Sequence, residues 1–127
     1  MEPDRTISPG LADSSVTLHV VCTQSTAARR NVSEASKKAV YAEYHVTYPQ
    51  PAGMYEVDHI IPLTIGGSND IKNLWLEAAS PKPGFHEKDV LENVMHRRVC
   101  SGQETLKQAQ REMATDWYAA YKKYAKQ

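Results

Sequence analysis

The sequence predicts an α+β fold in one domain, on three observations. Met54 to Leu63 is a short apolar, β-branched run and Asn73 to Leu76 starts a second, with Gly66-Gly67 turning the chain between them. Two such runs about a glycine turn read as a two-stranded antiparallel hairpin. Ser33 to Tyr44 and Phe85 to Val99 carry apolar residues at helical spacing, and Leu106, Ala109, Met113, Trp117, Ala120, Tyr121 and Tyr124 recur at three and four residues after them. The expected architecture is a hairpin followed by a helix and flanked by an N-terminal helix and a long C-terminal helix over 101–125.

A chain of 127 residues fits one core, and a split would leave two marginal pieces, so 1–127 is taken as a single domain. Residues 1–15 are rich in turn and breaker residues without periodicity, which predicts an irregular or partly disordered lead-in with no assigned chemistry. Val16 to Cys22 alternates weakly and reads as a short strand or extended segment. Ser33 is the N-cap of the first helix, with Ala39, Val40 and Tyr44 on one side and Lys37, Lys38 and Glu43 more exposed. Pro49, Pro51 and Gly53 end it, and Pro81, Pro83 and Gly84 form a second loop. In the following helix Val90, Leu91, Val94 and Met95 mark the apolar face, and Ser101 with Glu104 has the capping-box spacing that opens the last helix.

Composition narrows the classes. No stretch approaches the roughly 20 apolar residues of a membrane helix, no N-terminal apolar core reads as a signal peptide, and no membrane partner is expected. Fifteen basic and fifteen acidic residues cancel, so global charge does not argue for a polyanion. Local pairs do: Arg29-Arg30, Lys37-Lys38, Arg97-Arg98 and Lys122-Lys123 with Lys126 could meet phosphates if the fold gathers them. Cys22 and Cys100 lack CxxC spacing, which removes a zinc knuckle. Either both are buried free thiols, or they form one disulfide closing most of the chain, in which case an oxidising compartment and export are favoured over the cytoplasm.

The chemistry concentrates between Tyr55 and Asp89. Asp58-His59 ends the first apolar run, Asn73 follows the glycine turn, and His86 opens a helix. Phosphodiester hydrolysis needs a base for water and a cation for the charge of the transition state. Histidine suits the first task because its ordinary pKa of about 6.5 leaves it largely neutral near pH 7. In a regular strand Asp58 and His59 would face opposite ways, so both reach one site only if the strand ends or bulges there. Alternation puts Glu56 on the Asp58 side, where solvent is its expected fate. His19, His45 and His96 have no companions at site spacing and are read as structural or exposed.

The stretch from Tyr55 to Lys88, with Asp58-His59, Pro62-Leu63, Gly66-Gly67, Asn73-Leu74 and His86, resembles the HNH endonuclease motif. The resemblance implies a ββα-metal (His-Me finger) core over 54–99, with His59 as general base and Asn73 fixing the loop that aims it. It also implies one divalent metal on Asp58 and His86; Mg²⁺ or Mn²⁺ comes first, Ni²⁺ or Zn²⁺ next. The position four residues after His86, a second ligand in many such domains, is Val90, and Asp89 is the nearest substitute. Val99-Cys100-Ser101-Gly102 and Thr115-Asp116-Trp117-Tyr118 look similar to small bacterial HNH proteins, several of them exported.

The implied activity is metal-dependent DNA endonuclease with weak sequence preference, since no base-reading module is present; RNA stays open as a substrate. Lys88, Arg97 and Arg30 are the residues expected on phosphate. The alternative from a binding class is a metal-stabilised nucleic-acid-binding or interaction domain without turnover. A monomer and a homodimer both fit, the aromatic last helix offering an interface, and an inhibitor protein or a larger complex is left open.

Overall fold

The structure is a computed structural model that describes residues 3–81 and 84–125. Pro83 of the second loop and Lys126 of the last basic cluster lie outside the described residues. The elements in chain order are α1 (Leu18–Thr23), α2 (Glu34–Glu43), β1 (Tyr55–His59), β2 (Leu74–Ala78), α3 (Phe85–Cys100) and α4 (Leu106–Ala120). Single 3₁₀ turns at Thr26–Ala28, Leu63–Ile65 and Ile71–Asn73 join them, and a π-helical turn at Tyr121–Ala125 follows α4. The α+β class and the antiparallel hairpin stand as expected.

β1 and β2 pair from Tyr55↔Ala78 to His59↔Leu74. Alternation then sorts the side chains onto two faces. Leu74 and Leu76 pack with Val40 and Tyr41 of α2, joined by Tyr55 and Val57. Trp75 points the other way and packs with Leu91, Met95 and Val99 of α3 and with Met113 and Trp117 of α4. The hairpin is therefore a middle layer with helices on both faces, and every β2 residue is buried.

Several expected elements take a different form. Val16 to Cys22 is not a strand: Leu18–Thr23 is helical, because Thr17 Oγ1 caps the Val20 N–H and Val21 turns inward. The first strand is shorter than Met54 to Leu63, since Ile60 and Ile61 leave the ladder after His59 and enter the main core. The second runs from Leu74 rather than Asn73, and extends to Ala78. On α3 the buried residues are Phe85, Lys88, Leu91, Met95 and Val99, so the inward face is rotated from the expected one and Val90 is 52% exposed. Ser101 caps the end of α3, and the capping box belongs to Thr105 and Gln108, whose side chains each accept from the other's backbone N–H. The last helix consequently begins at Leu106 and not at 101.

That helix is broken at Asp116, whose φ of −163° and ψ of 89° are not helical. The break frees carbonyls, and the Arg5 guanidinium donates to those of Ala114 and Thr115, while Asp116 Oδ1 accepts from the Ala119 N–H and restarts the turn. The lead-in is irregular, as expected, but it is a docked strap rather than a loose tail. Gly10 N–H donates to the Lys72 carbonyl, Asp13 N–H to Gly66, and Ala12 bridges Gly67. Ser8 is fully buried, donating to the Leu74 carbonyl and meeting the Tyr44 hydroxyl at 2.8 Å.

Cys22 and Cys100 form a disulfide, tying α1 to the end of α3 across 78 residues. No described helix is long and apolar enough to cross a membrane. A closed loop of that length contributes about 4 to 5 kcal/mol in the chain-entropy account. Cys100→Ser is expected to lower unfolding free energy by about 4 kcal/mol in a denaturant titration, and reductant should bring the wild type to the same midpoint; an unchanged midpoint would show that the cross-link does not constrain the unfolded chain.

Candidate functional site

The loop between the strands is organised by one side chain. Asn73 is fully buried at the foot of β2, and its amide makes four hydrogen bonds. Oδ1 accepts from the Leu11 and Ile61 N–H groups at 3.0 and 2.9 Å, and Nδ2 donates to the Ile61 and Ser68 carbonyls at 3.0 and 2.8 Å. The strap, the exit from β1 and the glycine turn therefore meet on one amide. Gly67 has no room for a side chain, because a Cβ would lie 1.7 Å from the Ile61 carbonyl oxygen.

β1 ends at His59, and this is how neighbouring residues of opposite parity come to one place. Asp58 and His59 both line a cleft of about 60 Å³, with Arg30, Glu56, Asp89 and Glu92 around it. A larger groove of about 380 Å³ adjoins it, lined by Arg30, Asn31, Val32, Lys37, Glu56, Val57 and His59. The Asp58 Oδ1 accepts from the His59 N–H at 2.8 Å, so the backbone at the strand end is held by the preceding side chain.

Asn69, from the Gly-Gly-Ser-Asn turn, sets the His59 ring. Its Nδ2 donates to the Arg29 carbonyl, which turns Oδ1 toward His59 Nε2 at 3.0 Å. An acceptor at Nε2 fixes the proton there and leaves Nδ1 as the basic nitrogen. Burial holds the His59 pKa below 6.5, opposed by Asn69 and by the Asp58 charge. The ring is thus neutral at pH 7, the state a base requires.

Beneath the cleft lies a charged cluster. Lys88 is 1% exposed, and its ammonium donates to Asp58 Oδ2 at 2.9 Å, to the His59 carbonyl at 2.8 Å and to Glu92 Oε2 at 3.0 Å. Burial alone would lower the Lys88 pKa, but Asp58, Glu92 and Glu77 raise it, so the lysine stays charged. Burial likewise opposes ionisation of Asp58, yet the Lys88 ammonium, with the His59 N–H, keeps its pKa low. Glu77 is the neutral member: burial first, then the Asp58 charge, push it up to about 10. A neutral Glu77 beside Asp58 leaves the Lys88 ammonium one fewer negative charge to offset. At the mouth, burial and neighbouring carboxylates raise Glu56 and Glu92 to about 7 and raise Asp89 as well.

The sequence-selected residues are distributed unevenly. Asp58, His59, Asn73 and Arg30 meet at the strand end. Lys88 is there too, but buried and fully engaged, so it is not the surface phosphate contact the sequence suggested. Arg97 is exposed near the far end of α3, among none of the residues that line the two clefts. His86 is exposed with its ring 4.3 Å from that of Phe85, two residues and so about 200° around α3 from Lys88. His96 is structural, bonding the Val21 carbonyl at 2.9 Å, while His19 and His45 are exposed.

The divalent metal implied by the resemblance does not fit this donor set. The Asp58 carboxylate is taken by Lys88 and the His59 N–H, while His86 stands on the solvent side of α3. Among the described residues no three His, Cys, Asp or Glu side chains are grouped to hold a metal ion. Asn69, Glu77 and Glu92 were missed by sequence reasoning. The signal for Glu92 was available, since Lys88 and Glu92 are four apart on the stripe continued by Leu91, Met95 and Val99. No protein-family model, curated protein or solved structure matches the chain.

Glu77 gives the site a measurable pH signature. Its folded pKa lies above its ordinary 4.5, so its share of stability is complete below about 4.5 and is lost as pH rises through about 10. Glu77→Gln, which keeps the shape of the side chain and cannot ionise, should flatten the fall in unfolding free energy across that window; an unchanged slope would show that Glu77 is ionised in the folded protein.

Proposed function

We propose that the chain hydrolyses phosphodiester bonds in DNA, with His59 as the general base. The observation that carries this reading is the His59 ring, buried, neutral and pinned through Nε2 by Asn69, with Nδ1 left to take a proton beside a groove lined by Arg30 and Lys37. A water oxygen attacks phosphorus as Nδ1 takes its proton; the leaving oxygen departs with the P–O bond electrons and takes a proton from solvent. Arg30, exposed at the rim of both clefts, offers the guanidinium that offsets phosphoryl charge. Asn73 and Asp58 act through backbone, holding the strand end that carries the ring. Backbone contacts of this kind carry little sequence information, so weak sequence preference is proposed with the activity. The disulfide favours an exported protein. The narrow inner cleft favours one competitor, a nucleic-acid-binding module without turnover, and the same assay separates the two.

Supercoiled-plasmid cleavage is the test. His59→Ala should lower the rate by about 10²- to 10⁴-fold while leaving DNA affinity intact. Cleavage that survives undiminished in His59→Ala would remove His59 as the base, and a folded wild type that binds DNA and never cuts would end the nuclease reading.

The pH profile should be bell-shaped. The acid limb falls below 6.5, where His59 gains its proton, and the alkaline limb sets in around 7, where Glu56 and Glu92 ionise and repel phosphate. Glu56→Gln should weaken the alkaline limb and leave the acid limb in place, and a profile that it leaves unaltered would free Glu56 of that role.

A further inference from the structure

The site holds a buried cation of the chain's own. Lys88 has three N–H groups and three acceptors, Asp58 Oδ2, the His59 carbonyl and Glu92 Oε2, all within 3.0 Å. Two carboxylates and a carbonyl about one point of positive charge is a donor set that a hard divalent cation would also take. The ammonium stands at that point instead, and no N–H is left over for substrate. A divalent ion could reach Asp58 only by displacing a buried ammonium or by standing beside it, and like charges in a dry site repel strongly.

Resting on the nuclease reading above, we propose that Lys88 is the resident cation of this site, holding Asp58 and the His59 backbone in place of a divalent metal, so that hydrolysis at His59 needs none. The balance closes without one: the water proton goes to His59 Nδ1, the new P–O bond forms as the old one breaks, and solvent protonates the leaving oxygen. Phosphoryl charge is met from outside by Arg30. Lys88 does not touch the substrate and is a positioning residue, fixing the strand end from which the His59 ring projects.

The experiment pairs metal binding with cleavage on the full chain. Metal-stripped wild type is titrated calorimetrically with Mn²⁺ and Ni²⁺, and plasmid cleavage is followed in EDTA and in Mg²⁺. The wild type should show no saturable metal binding and undiminished cleavage in EDTA. Lys88→Met should lower kcat by about 10- to 100-fold with KM unchanged. Lys88→Ala, which frees the Asp58 and Glu92 carboxylates, should gain saturable Mn²⁺ binding that a second change, Asp58→Asn, removes. Saturable binding by the wild type that Asp58→Asn abolishes, or cleavage lost in EDTA and restored by Mg²⁺, would overturn the proposal. If the Lys88 variants fail to fold, the wild-type titration and the EDTA arm decide it alone. If the wild type cuts under no condition, the nuclease reading and metal-free hydrolysis fall with it, and the titration still decides whether Lys88 stands in place of a metal.

Discussion

The ion cluster of Lys88 with Asp58 and Glu92 is the constraint on which the rest of the structure depends. An isolated ammonium or carboxylate in a protein interior carries a desolvation cost of several kcal/mol, and removing one partner of a buried pair typically costs about 3 to 5 kcal/mol. Here one ammonium faces three carboxyl groups, and the field of one charge does not hold three ionised. Glu77 keeps the proton, and Asp58 keeps its charge because it lies nearest the ammonium and also accepts from the His59 N–H. Lys88 sits in the first turn of α3, where the helix dipole disfavours a cation. Its three acceptors offset that, and Glu87, accepting from the Gly84 N–H at 2.7 Å, completes the helix start.

The cluster joins three elements that share no sequence neighbourhood. Lys88 belongs to α3, Asp58 and His59 to β1, and Glu77 to β2, so α3 is locked to the hairpin at its first turn. Along the rest of its length the lock is apolar, through Leu91, Met95 and Val99 against Trp75. Asn73 does for the connecting loop what Lys88 does for the strand end. It replaces hydrogen bonds that Ile61 and Leu11 have no ladder to make, since an unpaired buried backbone group costs about 1 to 3 kcal/mol. With both anchors set, the backbone that carries His59 has no slack, and the ring orientation is left to one further contact, Asn69.

Much of this was legible in the chain and some was not, for identifiable reasons. The hairpin, α2 and α3 followed from periodicity and from Ser33 as a cap, because in those segments local preference and tertiary packing agree. Val16 to Cys22 failed because weak alternation over seven residues is outweighed by one cap, Thr17, and one inward residue, Val21. The strap of residues 3–16 was illegible because its partners lie far along the chain, among them the Gly66, Lys72 and Leu74 carbonyls, the Tyr44 hydroxyl and the Asn73 amide, which no pattern in its own sequence announces. Asp58, His59 and Asn73 were found as a constellation, since their spacing brackets a turn. Lys88 was found as a charge and misplaced as a surface one. A buried lysine has no compositional mark, and only its partners at Asp58 and Glu92 show what it does.

The scaffold outside the site serves to keep α3 from moving. The Cys22–Cys100 bond fastens its last turn to α1, and the Arg98 guanidinium lies 3.9 Å from the Tyr124 ring and 3.4 Å from Glu104. Arg5 stitches the strap to α4 where Asp116 breaks it, so the same strap that binds Asn73 also holds the helix packed on α3. A site that borrowed its cation from solvent could tolerate a looser helix, because an exchangeable ion re-forms its own shell. A lysine cannot do so. Its nitrogen reaches Asp58, Glu92 and the His59 carbonyl at once only if α3 stays within a few tenths of an ångström of its place, given hydrogen-bond lengths that weaken quickly beyond about 3.2 Å. The bracing of a 127-residue chain by a disulfide, a strap and a re-capped helix is what a fixed internal cation demands.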